Sequence, residues 1–438
     1  MIFFEDTVSV VKVAVSLLLA LASWLLIRFP APFRHYLNPR PALTLWVSFI
    51  GLRVIPFIIV YLIMDFAPRS DTEFFYKKAI AAFAGKMVYR DFLSYHGPLF
   101  GYLISLPLYL WYNAKILIPF MAIVEFAIVW ATWRYYQSSR PDALLMAVLY
   151  FLLPMPFVAM ILSSEEDIWF WGVGLITLAY ASRAQGSLWI GIIWGLSMIV
   201  IKSMIIVLLV PLFFLVDNKF KYVLGLAIVG IPSIVILYLL MGDAFLMPLQ
   251  HSGYNMTPNI VSITRPFLSG VYNQISLTRL NTISLCITMA LSSWAAIRYR
   301  HLGYRQIFPS LYVLTFGIFM LAQPSAPGFY LFMYMIVVLY EMVKIEDRSF
   351  NVQLILLNFL IVIEPIIWVI YVGMLNYDDW HTVFSSGVNT ADYLIQVVEV
   401  GLLLALVWRT FVHLRSLDRA ASQSFAASSQ RTGSSPVS

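Results

Sequence analysis

The sequence predicts an all-α, polytopic transmembrane bundle of about 13 spans, with amphipathic juxtamembrane helices in the first large outer loop. Composition is the first observation behind this. Of 438 residues, 61% are hydrophobic and 11% charged, against about 25% charged in soluble domains, and mean hydropathy is +0.83. The second is the recurrence of apolar runs near the roughly 20 residues that a hydrocarbon core demands. The third is charge placement: Lys and Arg fall in alternate short loops, as the positive-inside bias requires.

The spans are expected near 8–27, 42–64, 115–133, 143–162, 168–182, 187–201, 203–217, 223–241, 279–298, 307–322, 329–345, 352–374 and 391–409. The clusters Arg28/Arg34/Arg40, Arg134/Arg140, Arg183, Lys219/Lys221, Arg298/Arg300/Arg305, Lys344/Arg348 and Arg409/Arg415/Arg419 then share one side, the cytoplasm. The N-terminus lies outside and the C-terminus inside. Parity forces one more conclusion. Pro98 to Trp111 is apolar, but a full crossing there flips every later basic loop outward, so it is expected to lie as a helix in the outer leaflet or to dip partway in.

The membrane domain is read as 1–415 and a disordered cytoplasmic tail as 416–438, because the end is rich in Ser and Ala without apolar periodicity. Met1 to Thr7 carries Glu5 and Asp6 instead of a basic start, so no cleavable signal is expected. The single Cys286 excludes an intrachain disulfide and a cysteine metal cluster. No Walker motif, HExxH, nucleophile elbow or GxGxxG occurs. The net charge of +6 follows topology, and no nucleic-acid partner is expected.

Four constellations carry candidate chemistry. Asp71 stands just outside a span at the head of an amphipathic stretch, with Phe74, Phe75, Ala79, Ala82 and Phe83 on one face. It is a candidate general base; equally, Ser70 or Asp71 can cap that helix. Glu165, Glu166 and Asp167 follow the span 143–162. They are either a solvated turn or further carboxylates facing the same cavity. Lys202 sits at the apex of a hairpin of two short apolar arms, each about 20 Å long and so shorter than the membrane core. It needs an acid such as Glu166 or a bound phosphate as partner. The outward loop 242–278 carries His251 and Arg265, which can hold a phosphate. The isolated charges Arg53, Glu125, Glu341, Glu364 and Glu399 within spans are expected to be structural contacts.

These elements, in this order, resemble the GT-C superfamily of membrane glycosyltransferases. The first is Asp71-x4-Tyr76, then Gly85-x3-Tyr89-Arg90-Asp91 and His96-Gly97-Pro98-Leu99. The second is Ser163-Ser164-Glu165-Glu166-Asp167. The third is Gly191-x3-Gly195-x6-Lys202 ahead of Pro211. The fourth is Gln323-Pro324-Ser325-Ala326-Pro327-Gly328-Phe329-Tyr330. The similarity is greatest to polyprenol-phosphate-mannose-dependent mannosyltransferases. The chain departs from the pattern in its extra span 8–27, in His96-Gly97-Pro98 where two prolines are common, and in lacking a large soluble C-terminal domain.

The resemblance implies transfer of a monosaccharide, a hexose such as mannose, from a polyprenyl-phosphate donor to an extracytoplasmic lipid or glycan acceptor in the cell membrane, with inversion. Asp71 is then the base, with Glu165, Glu166 and Asp167 as reserve acids. Lys202, Arg265, His251, Lys77 and Lys78 are the donor-phosphate candidates. Tyr76, Arg90, Asp91, Tyr95 and His96 are the substrate-binding ones. A divalent metal bridging acids and phosphate is an option that this supply of cations makes unnecessary. The rival class is a transporter, flippase or glycan polymerase, in which paired, repeated broken helices are expected.

Overall fold

The computed structural model describes residues 7–374 and 376–432, and the regular elements among them are all helical. Among the described residues, eight helices are long and apolar enough to cross a membrane: Val8–Arg28, Pro41–Ile63, Ala114–Tyr136, Lys219–Gln250, Leu277–Leu302, Tyr304–Ala322, Arg348–Tyr371 and Gly387–Gln423. The pair Ala143–Leu152 and Pro154–Ser163, bent by 59°, makes a ninth if it is one span. Pro154 has no N–H to continue the ladder, and Leu153 before it is extended.

Eight or nine of the described helices thus meet that length and composition test, against an expected count of about 13. The other four apolar runs are helices, but short ones: Trp169–Tyr180, Gly186–Val200, Ser203–Leu215 and Phe332–Glu341. The last of these is a core helix. Met333 to Leu339 are wholly buried among other helices, and a helix that is apolar all round is as much a core helix as a spanning one.

Gly186–Val200 and Ser203–Leu215 form the hairpin expected around Lys202. Their open ends meet where the Asn218 amide donates to Ser187 Oγ at 3.1 Å. The rising arm presses on Lys219–Met241 through glycines. A Cβ on Gly191 would lie 2.2 Å from the Tyr222 carbonyl oxygen, and one on Gly225 2.2 Å from that of Leu188. Only glycine permits this approach.

The apolar stretch before residue 115 does return to the end it left. Lys115 donates to the Tyr61 carbonyl at 2.8 Å and to the Asp65 carboxylate, so the exit of one span and the entry of the next are adjacent. The basic clusters gather at the opposite end and interlock there. Arg34 pairs with Asp142, Arg409 with Asp347, and His301 with Asp418, while Arg140 donates to the carbonyls of Tyr340 and Val343. The last helix continues through Thr432, so residues 416–432, expected to be a disordered tail, extend that helix.

Candidate active site

Opposite the basic end, four segments far apart in sequence meet in one buried cluster. The first is the helix Asp71–Phe83. Ser70 precedes it at φ +56° without a side-chain cap, and Asp71 is its first residue, so neither serves as the cap that sequence allowed. Asp71 instead lies close enough to Glu165 for its charge to act on that carboxyl, and Thr72 Oγ donates to Ser164 Oγ at 3.0 Å. Phe75, Ala79 and Ala82 turn inward. Lys77 turns outward, pairing with exposed Glu73 at 2.7 Å.

The second segment is the turn at 163–168. Ser164 is left-handed, φ +54°, which reverses the chain after Pro154–Ser163 and drives the three acids inward. Glu165, Glu166 and Asp167 are 3%, 0% and 0% exposed. The solvated turn is thus excluded for all three. The third segment is His96-Gly97-Pro98-Leu99. It docks on the end of the hairpin's rising arm: Gly97 N–H donates to the Ile201 carbonyl at 2.7 Å and Leu99 N–H to that of Ile199 at 3.0 Å. A Cβ on Gly97 would sit 2.3 Å from the Ile199 oxygen, which explains glycine there. The fourth is Lys202 itself. Its Nζ lies 2.7 Å from Glu166 Oε1, 3.0 Å from Asp167 Oδ1 and 5.3 Å from the centre of the Tyr330 ring.

His96 joins the acids to a second lysine. Lys78 Nζ is 3.0 Å from His96 Nδ1, and His96 Nε2 is 3.0 Å from Glu166 Oε1. An ammonium can only donate, so Nδ1 accepts and Nε2–H donates to the carboxylate. Burial, then the Lys78 charge, lowers His96 to about 3, in keeping with that neutral tautomer. The ring stacks on Phe100 with centroids 4.3 Å apart.

The three neighbouring acids meet three different fates. Burial, then the Asp71 charge, raises Glu165 well above the carboxylate range. Burial also acts to raise Glu166, but Lys202 and His96 outweigh it and hold Glu166 ionised. Asp167 is pushed up to about 7 by burial, against Lys202 and with Glu166. Burial acts to lower Lys202, yet Asp167 and Glu166 outweigh it and keep the ammonium firmly charged. Glu166 is therefore its ionised partner and Asp167 the one that titrates. Environments that drive adjacent acids apart in this way are how a site separates a proton donor from a carboxylate. Glu166 Oε2 and Asp167 Oδ2 are buried without a partner.

Other sequence candidates lie elsewhere. Arg90 and Asp91 pair with each other at 2.8 Å on the surface, where Asp91 also accepts the Met87 amide. They form a local turn and do not face the cluster. Tyr76 is instead close to Tyr112. Tyr95 reaches the outer loop, its hydroxyl 3.1 Å from that of Tyr254. Arg265 pairs with Asp378 at 2.5 Å and lines a separate cavity of about 320 Å³ with Asn255, Tyr272 and Asn376. The His251 side chain lies outside the described residues. Among the described residues no group of three or more His, Cys, Asp or Glu has metal-holding geometry.

Sequence reasoning missed Thr72, Ser164 and the place of Tyr330 over Lys202. It also ranked Lys78 below Lys202, although Lys78 lies about two turns from Asp71 on the same side of the helix. Burial lowers Lys78 to about 8, and Lys78, like Lys202, is half-buried. Comparisons with protein-family models, curated proteins and solved structures find no match to this chain.

Proposed function

We propose that the chain is a membrane glycosyltransferase that moves a hexose such as mannose from a polyprenyl-phosphate donor to a hydroxyl of an extracytoplasmic lipid or glycan, with inversion. The observation that carries this reading is the Asp71–Glu165 carboxyl pair at the edge of a cation-lined cluster, at the end of the bundle opposite the basic loops. The positive-inside bias puts that end outside the cytoplasm.

In this reading the acceptor hydroxyl gives its proton to Asp71 as its oxygen bonds the anomeric carbon. The bond from that carbon to the phosphate oxygen breaks, and polyprenyl phosphate leaves with the electron pair. Cations beside the departing phosphate stabilise the transition state more than the ground state. Lys78 is better suited to that contact than Lys202, whose charge is already held between two acids. Lys202 orients Glu166, and Glu166 orients His96 against Lys78. Arg265 remains a candidate for an outer phosphate or acceptor group.

One observation favours the alternative, a transporter, flippase or polymerase of a lipid-linked saccharide. Besides the hairpin at Lys202 there is a second broken apolar element, the 59° bend at Leu153, and broken elements in pairs are a transporter feature. Reconstituting purified protein with polyprenyl-phosphate hexoses and candidate lipid acceptors separates the two. Transfer of sugar with release of polyprenyl phosphate supports the enzyme. Movement of the lipid-linked sugar across the bilayer with no turnover overturns it.

A further inference from the structure

A second set of buried acids lies away from this cluster, on the helices Arg348–Ile366 and Gly387–Thr432. Glu364 is 1% exposed, and Asp392, Gln396 and Glu399 are wholly buried. Asp392, Gln396 and Glu399 share one face of their helix, at positions i, i+4 and i+7. Glu364 and Asp392 are near enough to Glu399 to act on it electrostatically. Among the described residues no Lys, Arg or His pairs with any of the three acids, although the chain's other charge clusters are built around such cations.

Part of the set is satisfied internally. Thr257 Oγ donates to Glu364 Oε1 at 2.5 Å, and Tyr377 Oη and Gln396 Nε2 donate to Asp392 Oδ2 at 2.7 and 2.8 Å. Four oxygens are left without a partner: Asp392 Oδ1, Gln396 Oε1 and both oxygens of Glu399. The Gln396 amide is informative because it is not an acid. Its nitrogen is used on Asp392, so its oxygen stands idle at the same spot, fully buried. Four idle acceptor oxygens against one spare N–H of the Gln396 amide make a set complementary to a cation. Buried carboxylates without compensation cost several kcal/mol each.

We infer that Asp392, Gln396 and Glu399 form a binding site for a small hard cation, coordinated by carboxylate and amide oxygens. An all-oxygen ligand set suits alkali and alkaline-earth ions. The amide oxygen belongs to the set because it too is buried without a donor. Glu364 supplies charge from the facing helix. The site also ties down the outer loops. Thr257 accepts from Gly328 N–H at 3.1 Å through its carbonyl, and Met256 N–H donates to the Pro324 carbonyl at 2.8 Å. That turn leads to Tyr330, which lies over Lys202. The inference does not depend on the proposed reaction.

The test is thermal melting and radiolabelled-ion binding on the purified full chain in lipid nanodiscs. Sodium, potassium, calcium or magnesium chloride replaces choline chloride at fixed ionic strength. One of these ions should raise the melting temperature saturably and bind with a stoichiometry of one. Glu399→Gln, isosteric and neutral, should weaken that ion by about tenfold or more while melting no lower than the parent in choline. Gln396→Ala leaves the charge unchanged and should also weaken it, which keeps the test decisive if Glu399→Gln does not fold. Surface Glu73→Gln should leave binding intact. No saturable response to any ion, or a response that survives both changes at the site, overturns the inference. So does a stability that follows pH alone.

Discussion

Two buried charge networks in this chain look alike on composition and differ in closure. Arg53 and Glu125 meet with both side chains fully buried. Arg53 Nε and Nη2 donate to the two carboxylate oxygens at 2.7 and 2.8 Å, and the Tyr150 hydroxyl adds a third donor at 3.0 Å. The guanidinium also lies against the rings of Phe151 and Phe157 and donates to the carbonyls of Leu52 and Phe151. Both oxygens of Glu125 are taken. Around Lys202 the count of charges is larger, yet Glu166 and Asp167 each keep an oxygen without a donor. A closed network fixes a structure. An open one, in a low dielectric, keeps its capacity for a ligand or a proton.

The largest expected effect separates the networks by what they lose. Asp71→Asn keeps size and removes the base, so turnover of a polyprenyl-phosphate sugar should drop by about 10²–10⁴, with the melting temperature close to that of the parent. Near-normal turnover in a folded Asn variant would move the base to Glu165 or Asp167 and close the comparison from the other side. Arg53→Met should do the reverse. Stranding Glu125 in the bundle should remove about 3–5 kcal/mol of stability, seen as lost folded protein on size-exclusion chromatography. Arg53→Met with Glu125→Leu should recover most of it, because an apolar pair of similar volume replaces a buried ion pair at little cost.

How far the sequence carries differs between these networks for a physical reason. Segment identity was legible: every apolar run forms a helix, and the parity of basic loops fixed the non-crossing return of Pro98–Trp111. The turn at 163–167 and the Lys202 apex were visible because charges flanked by long apolar runs stand out. Pairing was not. Arg53 and Glu125 are 72 residues apart, and nothing local says which isolated charge meets which. Phe332–Glu341 is short, yet it joins Tyr330 over Lys202 to the carbonyls that Arg140 meets at the basic end, and hydropathy alone cannot tell burial in protein from burial in lipid. Arg90 and Asp91 misled because their motif spacing is satisfied by a local pair. Lys77 and Lys78 could be separated only by the phase of their helix, which depends on where it starts.

Lys202 tests which kind of network it anchors. Its removal strands Glu166 and Asp167, so Lys202→Met should lower stability by about 3 kcal/mol. Adding Glu166→Gln should restore folding, because the ionised partner is gone. If the cluster is open for chemistry, the double variant folds and still does not turn over. Recovery of both folding and activity would reduce Lys202 and Glu166 to a second structural pair, like Arg53 and Glu125.

The smallest effect is the most specific to openness. Asp167 titrates near 7 in the folded chain, above the ordinary aspartate value of 3.8. The folded state therefore binds this proton more tightly than the unfolded one. That contribution to stability is complete below pH 3.8, is lost as pH rises through the window up to about 7, and is absent above it. Asp167→Asn carries no titrating proton. The melting temperature of the parent minus that of Asp167→Asn should thus decline by a few degrees between pH 4 and 7 and then level off. Burial is the largest cause of the shift, and it prevails only because Lys202 is shared with Glu166, which takes most of its charge. A difference flat across that window would mean that Lys202 keeps both acids ionised. The cluster would then be electrostatically as closed as the Arg53–Glu125 pair, and its two partnerless oxygens would have to be filled by water rather than held ready for substrate.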